Sequence, residues 1–464
     1  MAKRRTVLIM GLGLHGGGAG AANYFSDRGD EVIVTDLKTA EELEEGLKLL
    51  KRREHIRLRL GRHVYRDFEE ADLVIQNPGV PPDSPYIARA REKGAQIETD
   101  LSIFLDLIQG RTDAIVGVTG TKGKSTTAAL LHSILSKQGD TLLAGNITVS
   151  VFEILDAVGK DTRIVLELSS FQLGGLRHRE YSPPVSVITN FLDDHLNFYN
   201  RREDYFEDKS VIHRFQRPGD VLVLNRDNQV YRMTRENSGV RRVSFGLRSD
   251  FTGDGSFLDG DRVCYRKGDQ SLPVMNVKGI RIPGQHNRYN VLAAVAAAQE
   301  MGVDPVCIDE GITGFRGLPH RLEPIADRDG IGFINDSAAT TPDAAVQGIM
   351  SIDGPLTLIA GGSDKGLDLG QLVETINRRV RHLVLLGGSG TERLLSADLA
   401  IEPRLFGNFA EALKYAVRIT EPPASVLLSP GFASFGMFRN EFDRGDRFRE
   451  LVLHMSEDEG WKGD

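Results

Sequence analysis

Cysteine is almost missing from this chain, with only Cys264 and Cys307 among 464 residues. Two thiols can build neither a disulfide framework nor a cysteine-based zinc site, and such scarcity fits a reducing compartment, so a cytoplasmic protein is expected. A positive excess is missing too: 57 Lys and Arg stand against 65 Asp and Glu, a net charge of −8. That balance excludes a protein whose main business is wrapping nucleic acid or coating an anionic membrane, so any anionic ligand must be held by local donors. No run of about 18 apolar residues occurs, which excludes a membrane-spanning helix. Lys3, Arg4 and Arg5 ahead of Val7 to Met10 superficially resemble a secretory leader, but Gly11, Gly13 and His15 cut the apolar run, and the segment reads better as a strand entering a glycine turn. With 40% apolar and 26% charged residues, neither a disordered polyelectrolyte nor a membrane protein fits. What remains is a soluble globular chain long enough for roughly three domains. Glycine, by contrast, is abundant: 50 residues, many directly after β-branched runs, the placement of phosphate-binding loops.

Short apolar runs alternate with helical patterns: TVLIMG, EVIVTD, DLVIQNPG, AIVGVTG, RIVLELSS, VSVITN and DVLVLN, then GFIND, LTLIAGG, HLVLLGG and SVLLSPG. Each ends in Gly, Asn, Asp or Ser, as buried parallel strands do when their carboxyl ends carry ligand loops. The fold class is therefore α/β, in three domains over 1–106, 107–317 and 318–464. The first boundary precedes the strand feeding Gly117 to Ser125; the second falls in GLPHRLEP, where two prolines bracket a polar turn. The Gly-rich stretch from about 246 to 272 reads as β-hairpins inserted in the middle domain.

The sharpest chemical signal is Gly117-Val-Thr-Gly-Thr-Lys-Gly-Lys-Ser-Thr126 between a strand and a helix. Backbone N–H groups of Gly120, Thr121, Lys122 and Gly123, with the helix N-terminus at Thr126, form an anion cradle. Lys124 can reach terminal phosphates and Ser125 can hold Mg²⁺, so ATP is the expected ligand. The strict G-x-x-x-x-G-K-[ST] pattern is not met, since position 118 is Val. The strand RIVLEL ends in Glu167, a carboxylate that either binds a nucleotide-bound metal or caps a helix. After VSVITN come Asp193, Asp194 and His195; imidazole is unusual for Mg²⁺, so the residues alone favour a packing role for His195. In the expected helix EDYFEDKSVIHRF, Tyr205, Lys209 and Ile212 recur at i, i+4 and i+7, placing Lys209 on the apolar stripe, buried or snorkelling. His286, Asn287 and Asn290 open an Ala-rich helix, while Arg321, Asp336, Lys365 and Ser429 each lie at or just beyond a strand end.

At the start of the chain, Gly11-Leu-Gly-Leu-His-Gly16 fits G-x-G-x-x-G after a strand, with Asp36 ending the next strand. That spacing suits a pyrophosphate on a helix N-terminus and an acidic group on a ribose hydroxyl, hence a nucleotide or nucleotide-sugar.

Taken together, TGTKGKST, LELSSFQL, NFLDDHLNFY with the following lysine, GQHNRYN, LPHRLE, GGSDKG and LLSPGFASFGMFRNEFDRGDRF resemble the Mur ligase family of ATP-dependent peptidoglycan precursor synthesis. LELSSFQL, the final motif and NPGVPPDSP are similar to its glutamate-adding members. The resemblance implies a Rossmann-like first domain for the UDP part of a UDP-N-acetylmuramoyl-L-alanine substrate, a central P-loop ATPase-like domain, and a Rossmann-like last domain for glutamate. It implies catalytic roles for Lys124, His195 and Lys209, with Ser125, Glu167, His195 and a carbamate on Lys209 around Mg²⁺. It implies Asn290, Arg321 and Asp336 at ATP, Gly13, Leu14, His15, Asp36, Asn77 and Asn146 at the UDP substrate, and Lys365, Ser429 and Phe435 near the amino acid. No nucleic-acid or membrane partner is expected, and the chain is expected to act as a monomer.

Two departures fall in the last domain: Asp336-Ser-Ala-Ala-Thr340 lacks the lysine usual at position 338, and Gly431-Phe432 replaces Ala-Cys. An L-glutamate-adding relative therefore stays open. A folylpolyglutamate synthase is disfavoured by the first domain and the LSPGFASF ending. An NAD-dependent oxidoreductase leaves Lys124, Glu167 and Lys209 without purpose, and a non-catalytic nucleotide-binding regulator is the remaining rival.

Overall fold

The computed structural model describes residues 4–13, 16–81, 83–147, 149–192, 199, 201–234 and 239–455. Three sheets are found among them, of five, nine and six strands. The chain divides into two compact units, Met1–Gly279 with Tyr289–Gly314, and Ile280–Arg288 with Phe315–Asp464.

In the first unit, β1 (Thr6–Met10), β2 (Glu31–Asp36), β3 (Ile56–Leu60), β4 (Leu73–Gln76) and β5 (Gln96–Glu98) form a parallel sheet ordered 3-2-1-4-5. Strand β1 is buried at every residue, as a central parallel strand covered on both faces must be. The order reverses beside β1, so the crevice for a ligand opens beyond the carboxyl ends of β1 and β4.

The nine-stranded sheet contains β6 (Ile115–Thr119), β7 (Thr141–Gly145), β8 (Arg163–Glu167), β9 (Val185–Ile188), β10 (Val221–Asn225), β11 (Arg241–Phe245), β12 (Gly255–Asp259), β13 (Arg262–Lys267) and β14 (Gln270–Asn276). Its order is 14-13-12-11-10-9-6-8-7, which sets β6 between β9 and β8. Strands β12 to β14 pair antiparallel, so the Gly-rich stretch does form hairpins at the sheet edge. One apolar core joins both sheets, with Val7, Ile9 and Phe25 in the same cluster as Val151, Leu166 and Tyr205.

The second unit holds β15 (Glu323–Arg328), β16 (Ile331–Asn335), β17 (Leu356–Ala360), β18 (His382–Leu386), β19 (Arg404–Phe406) and β20 (Ala424–Leu428), ordered 15-16-20-17-18-19. All pair in parallel except β15, which runs antiparallel to β16 and so starts beside the carboxyl end of the sheet. The fold is α/β, as expected. Of the strands, β3, β5, β7, β11, β15 and β19 were not anticipated. Ile56–Leu60, for example, reads IRLRL, and its arginines mask an edge strand in a search for apolar runs. Among the described residues no helix is long and apolar enough to cross a membrane.

Candidate active site

The loop after β6 is built by close approach. Gly120 has φ 149°, and a Cβ there would lie 1.9 Å from Thr189 Oγ1; Gly123, left-handed at φ 82°, would press a Cβ to 2.4 Å from Asn290 Oδ1. Only glycine fits at either position. The helix Lys124–Leu135 starts directly after, so its first turn, with Ser125 and Thr126 half-buried, faces the loop. The loop is stitched to the segment following β9. Thr121 N–H donates to the Asn190 carbonyl at 3.1 Å, Lys122 N–H donates to Asn190 Oδ1 at 2.9 Å, and Thr189 Oγ1 donates to the Lys122 carbonyl at 2.7 Å.

Two ammonium groups converge on this loop. Lys124 Nζ donates to the Gly120 and Thr121 carbonyls at 3.0 and 2.9 Å, and Lys209 Nζ donates to the same Gly120 carbonyl at 2.9 Å. Lys209 is 2% exposed, on the helix Arg202–Arg214 with Tyr205 and Ile212 beside it in the core, so the stripe read from the sequence is real. Its Nζ sits 4.5 Å from the Tyr205 ring centroid.

Strand β8 lies next to β6 in register, Val118 opposite Glu167. Glu167 is 1% exposed; Oε1 accepts from Asn146 Nδ2 at 3.1 Å, while Oε2 has no hydrogen-bond partner among the described residues. A buried, unpartnered carboxylate oxygen is costly unless a cation or donor meets it. Asn146 is held in turn by its own N–H on the Glu167 carbonyl, 2.9 Å away. Asn290 is buried against the loop, with Thr127 Oγ1 donating to its Oδ1 at 3.3 Å. His195 lies outside the described residues, as do Leu14 and His15.

At the carboxyl end of the five-stranded sheet the glycine turn is made differently. Asp36 Oδ2 accepts from the N–H groups of Leu12 at 3.0 Å and Gly13 at 3.5 Å, and Oδ1 accepts from Lys38 N–H at 3.0 Å. Both carboxylate oxygens thus accept from backbone N–H groups and shape the turn. Asn77 braces it from β4, donating to the Gly11 carbonyl at 3.3 Å.

In the second unit Asp336 follows β16 and is buried. Its Oδ2 accepts from Ser429 Oγ at 2.7 Å and its Oδ1 from Leu322 N–H at 3.1 Å. Burial pushes its carboxyl up to about 7, against the pull of those two donors and of the Arg321 and Arg444 charges. Ser429 is fully buried, with its hydroxyl donating to Asp336. Arg321 is flanked by left-handed His320 and Leu322, at φ 63° and 46°, a costly conformation held by Asp336 and Glu323. Lys365 Nζ donates to Thr340 Oγ1 at 3.0 Å; burial holds its ammonium below the usual range, Glu441 opposing and Arg444 assisting. Phe435 is 65% exposed.

Family models match along the chain: Mur ligase MurD-like, N-terminal domain over residues 5–99, Mur ligase middle domain over 118–298, and Mur ligase, glutamate ligase domain over 320–432. A UDP-N-acetylmuramoylalanine–D-glutamate ligase of Roseiflexus sp. (strain RS-1) is 41% identical over 461 residues, 97% of this chain and 98% of that protein. The chain belongs to the Mur ligase family. The enzyme of the same description from Symbiobacterium thermophilum is 38% identical over 93% of this Mur ligase and 95% of its own length. Among solved structures, UDP-N-acetylmuramate-alanine ligase MurC of Thermotoga maritima superposes with a TM-score of 0.60 at 20% identity, covering 97% of this chain and 99% of that one. A pseudomurein peptide ligase type C from Methanothermus fervidus gives 0.54 at 19%, covering 98% and 100%. Both show the shared fold.

Sequence reasoning passed over two groups in this Mur ligase. Thr189 and Asn190 anchor the cradle, and their only signal is a strand ending in polar residues. Arg444, wholly buried, donates to the Ser337 carbonyl at 2.8 Å and to Ser337 Oγ at 2.9 Å, tying the loop after β16 to the last helix. An arginine in a helix reads as surface until its partners are known.

Proposed function

We propose that this Mur ligase joins D-glutamate to UDP-N-acetylmuramoyl-L-alanine in an ATP-dependent reaction of peptidoglycan precursor synthesis, acting as a cytoplasmic monomer. The observation that carries the reading is the meeting of Lys124 and Lys209 on the Gly120 carbonyl beside buried Glu167. The relatives named above catalyse this reaction by description. The UDP part would lie on the first domain, 1–106, at Gly13, Leu14, His15 and Asn77, with Asp36 holding the turn and Asn146 nearer the cradle. ATP would occupy the middle domain, 107–317, at Gly120 to Thr126 and Asn290, with Arg321 and Asp336 contributed from beyond it. Glutamate would be held in 318–464 by Lys365 and Phe435, Ser429 acting through Asp336.

A carboxylate is a poor acylating agent, so the γ-phosphoryl group is first moved onto the L-alanyl carboxylate: the bond to ADP breaks and an acyl phosphate forms. Lys124 offsets charge on the transferring oxygens, and the N–H groups at the start of the helix, from Gly123 to Thr126, orient them, since those of Thr121 and Lys122 donate to Asn190. The glutamate amine, as free base, then attacks the acyl carbon. The tetrahedral adduct expels inorganic phosphate and a proton, leaving the amide. Lys209, as neutral amine, would take up CO₂ to give a carbamate and release a proton, turning a buried cation into an anion. The donor set fits a hard cation, since Glu167 Oε2 is buried and unpartnered among the described residues; Ser125, Glu167, His195 and the Lys209 carbamate would hold Mg²⁺, which neutralises phosphoryl charge when bound.

Phosphate release measured with ATP, UDP-N-acetylmuramoyl-L-alanine and each glutamate enantiomer tests the reading. Release is expected only when the acceptor and D-glutamate are both present. Release with L-glutamate alone overturns the substrate, and no release with either overturns the reaction.

A further inference from the structure

The first domain meets the middle one through two kinds of contact. One is apolar: Tyr24 stacks on Phe152 with centroids 4.6 Å apart, and Phe25 meets the same ring edge-on at 6.0 Å. Such contacts hold surfaces together but tolerate sliding, because the hydrophobic effect is non-directional. The other is polar and centred on Glu98, the last residue of β5, whose side chain is only 12% exposed. Arg179 grips it with both arms of its fork, Nη2 to Oε1 at 2.7 Å and Nε to Oε2 at 3.2 Å. His178 Nε2 lies 3.1 Å from Oε2, and Ser102 Oγ donates to the same oxygen at 2.7 Å. Arg179 also reaches Asp106 at 2.8 Å.

These partners belong to three pieces of chain. Glu98 ends the outer strand of the first sheet. Ser102 and Asp106 lie on the helix Asp100–Ile108, which leads toward β6 and the cradle. His178 and Arg179 form the turn Arg177–Arg179, just beyond the helix Ser170–Gly175 that follows Glu167. Glu98 also walls two cavities, of about 690 and 460 Å³, so the cluster crosses otherwise open ground between the domains. A bidentate guanidinium–carboxylate pair fixes orientation as well as distance.

We propose that Glu98 is a positioning residue: gripped by Arg179, His178 and Ser102, it sets the register of the first domain on the middle one, and with it the distance from the UDP-bearing substrate's anchor to the cradle. The inference rests on the reading that the first domain holds that substrate.

The test compares the wild-type chain with Glu98→Gln, Glu98→Ala, Arg179→Ala and the Glu98→Ala/Arg179→Ala double variant, by steady-state kinetics and by hydrogen exchange over residues 99–108. A charge-assisted bond contributes about 1.5–3 kcal/mol, so a roughly tenfold or larger rise in KM for the UDP substrate is expected. The KM for ATP should stay within about twofold, the Gln variant should recover part of the loss, and the double variant should be no worse than the worse single one. Exchange over 99–108 should quicken about tenfold or more in Glu98→Ala. Unchanged KM for the UDP substrate overturns the proposal, as does a parallel loss of both KM values together with melting temperature, the mark of a merely structural residue. If the wild-type chain does not ligate, the functional reading fails by itself, while hydrogen exchange still decides whether Glu98 holds the junction: unchanged exchange overturns it.

Discussion

The glycine turn after β1 and the glycine loop after β6 have the same local plan, a buried strand, a left-handed glycine and a helix, yet they are finished with opposite charge. After β1, the Asp36 carboxylate turns inward and accepts from the Leu12 and Gly13 N–H groups. After β6, Lys124 and Lys209 both turn onto the loop's carbonyls, and Lys124 brings positive charge to its mouth. A carboxylate on a turn's N–H groups competes with a phosphate there, whereas an ammonium group such as that of Lys124 recruits one. A glycine pattern therefore announces a backbone shape, and the residues at neighbouring strand ends decide which ligand charge that shape accepts.

Removing Lys124 breaks this comparison most severely. Lys124→Ala should lower kcat for ligation about 10³-fold or more, as loss of a preorganised charge at a transferring phosphoryl group does, while the chain stays folded by circular dichroism. Near-normal turnover would return the loop to an ordinary turn. Lys209→Ala should cost about 10²-fold or more and be partly restored by a small carboxylate such as acetate; no restoration would deny it an anionic role. Gly123→Ala sharpens the geometric half of the contrast. With a left-handed φ and Asn290 Oδ1 at 2.4 Å from the new methyl, it should cost about 1–3 kcal/mol by urea denaturation and weaken ATP binding. Asp36→Asn should act least, raising KM for the UDP substrate about tenfold or less with KM for ATP unchanged, since an amide oxygen can still accept one loop N–H.

Asp336 extends the contrast to a carboxyl that burial pushes well above the ordinary carboxylate range. Its folded-state value of about 7 lies above the ordinary 3.8, so the native state holds its proton more tightly than the unfolded chain. Its contribution to stability is full at acid pH and shrinks as pH rises through about 7, by roughly 2–4 kcal/mol. Denaturation midpoints of Asp336→Asn should vary less between pH 5 and 8 than those of the wild-type chain; equal slopes would deny the shift.

Much of the architecture was readable before any coordinates. The central parallel strands announce themselves as β-branched runs because both their faces are buried, and the Lys209 stripe follows from helical spacing. Most edge strands stayed hidden because one side of each meets solvent and tolerates arginine, as in Ile56–Leu60, and the interior strand β11 was masked by the two arginines that open it. Site residues divided in the same way. Lys124 sits within its motif, but the burial of Ser429 against Asp336 joins residues 93 positions apart, and Glu98 meets Arg179 across 81.

By itself, the order of residues determined what is local: periodicity, turn chemistry, and which side chains stand at strand ends. The tertiary structure alone decided which of those side chains face a ligand and which face each other. Hydrogen bonds and ion pairs act over about 3 Å, and only the packing of distant segments brings donors and acceptors within that reach. Asp36 turned onto its own loop and Glu98 gripped by Arg179 are outcomes of that packing.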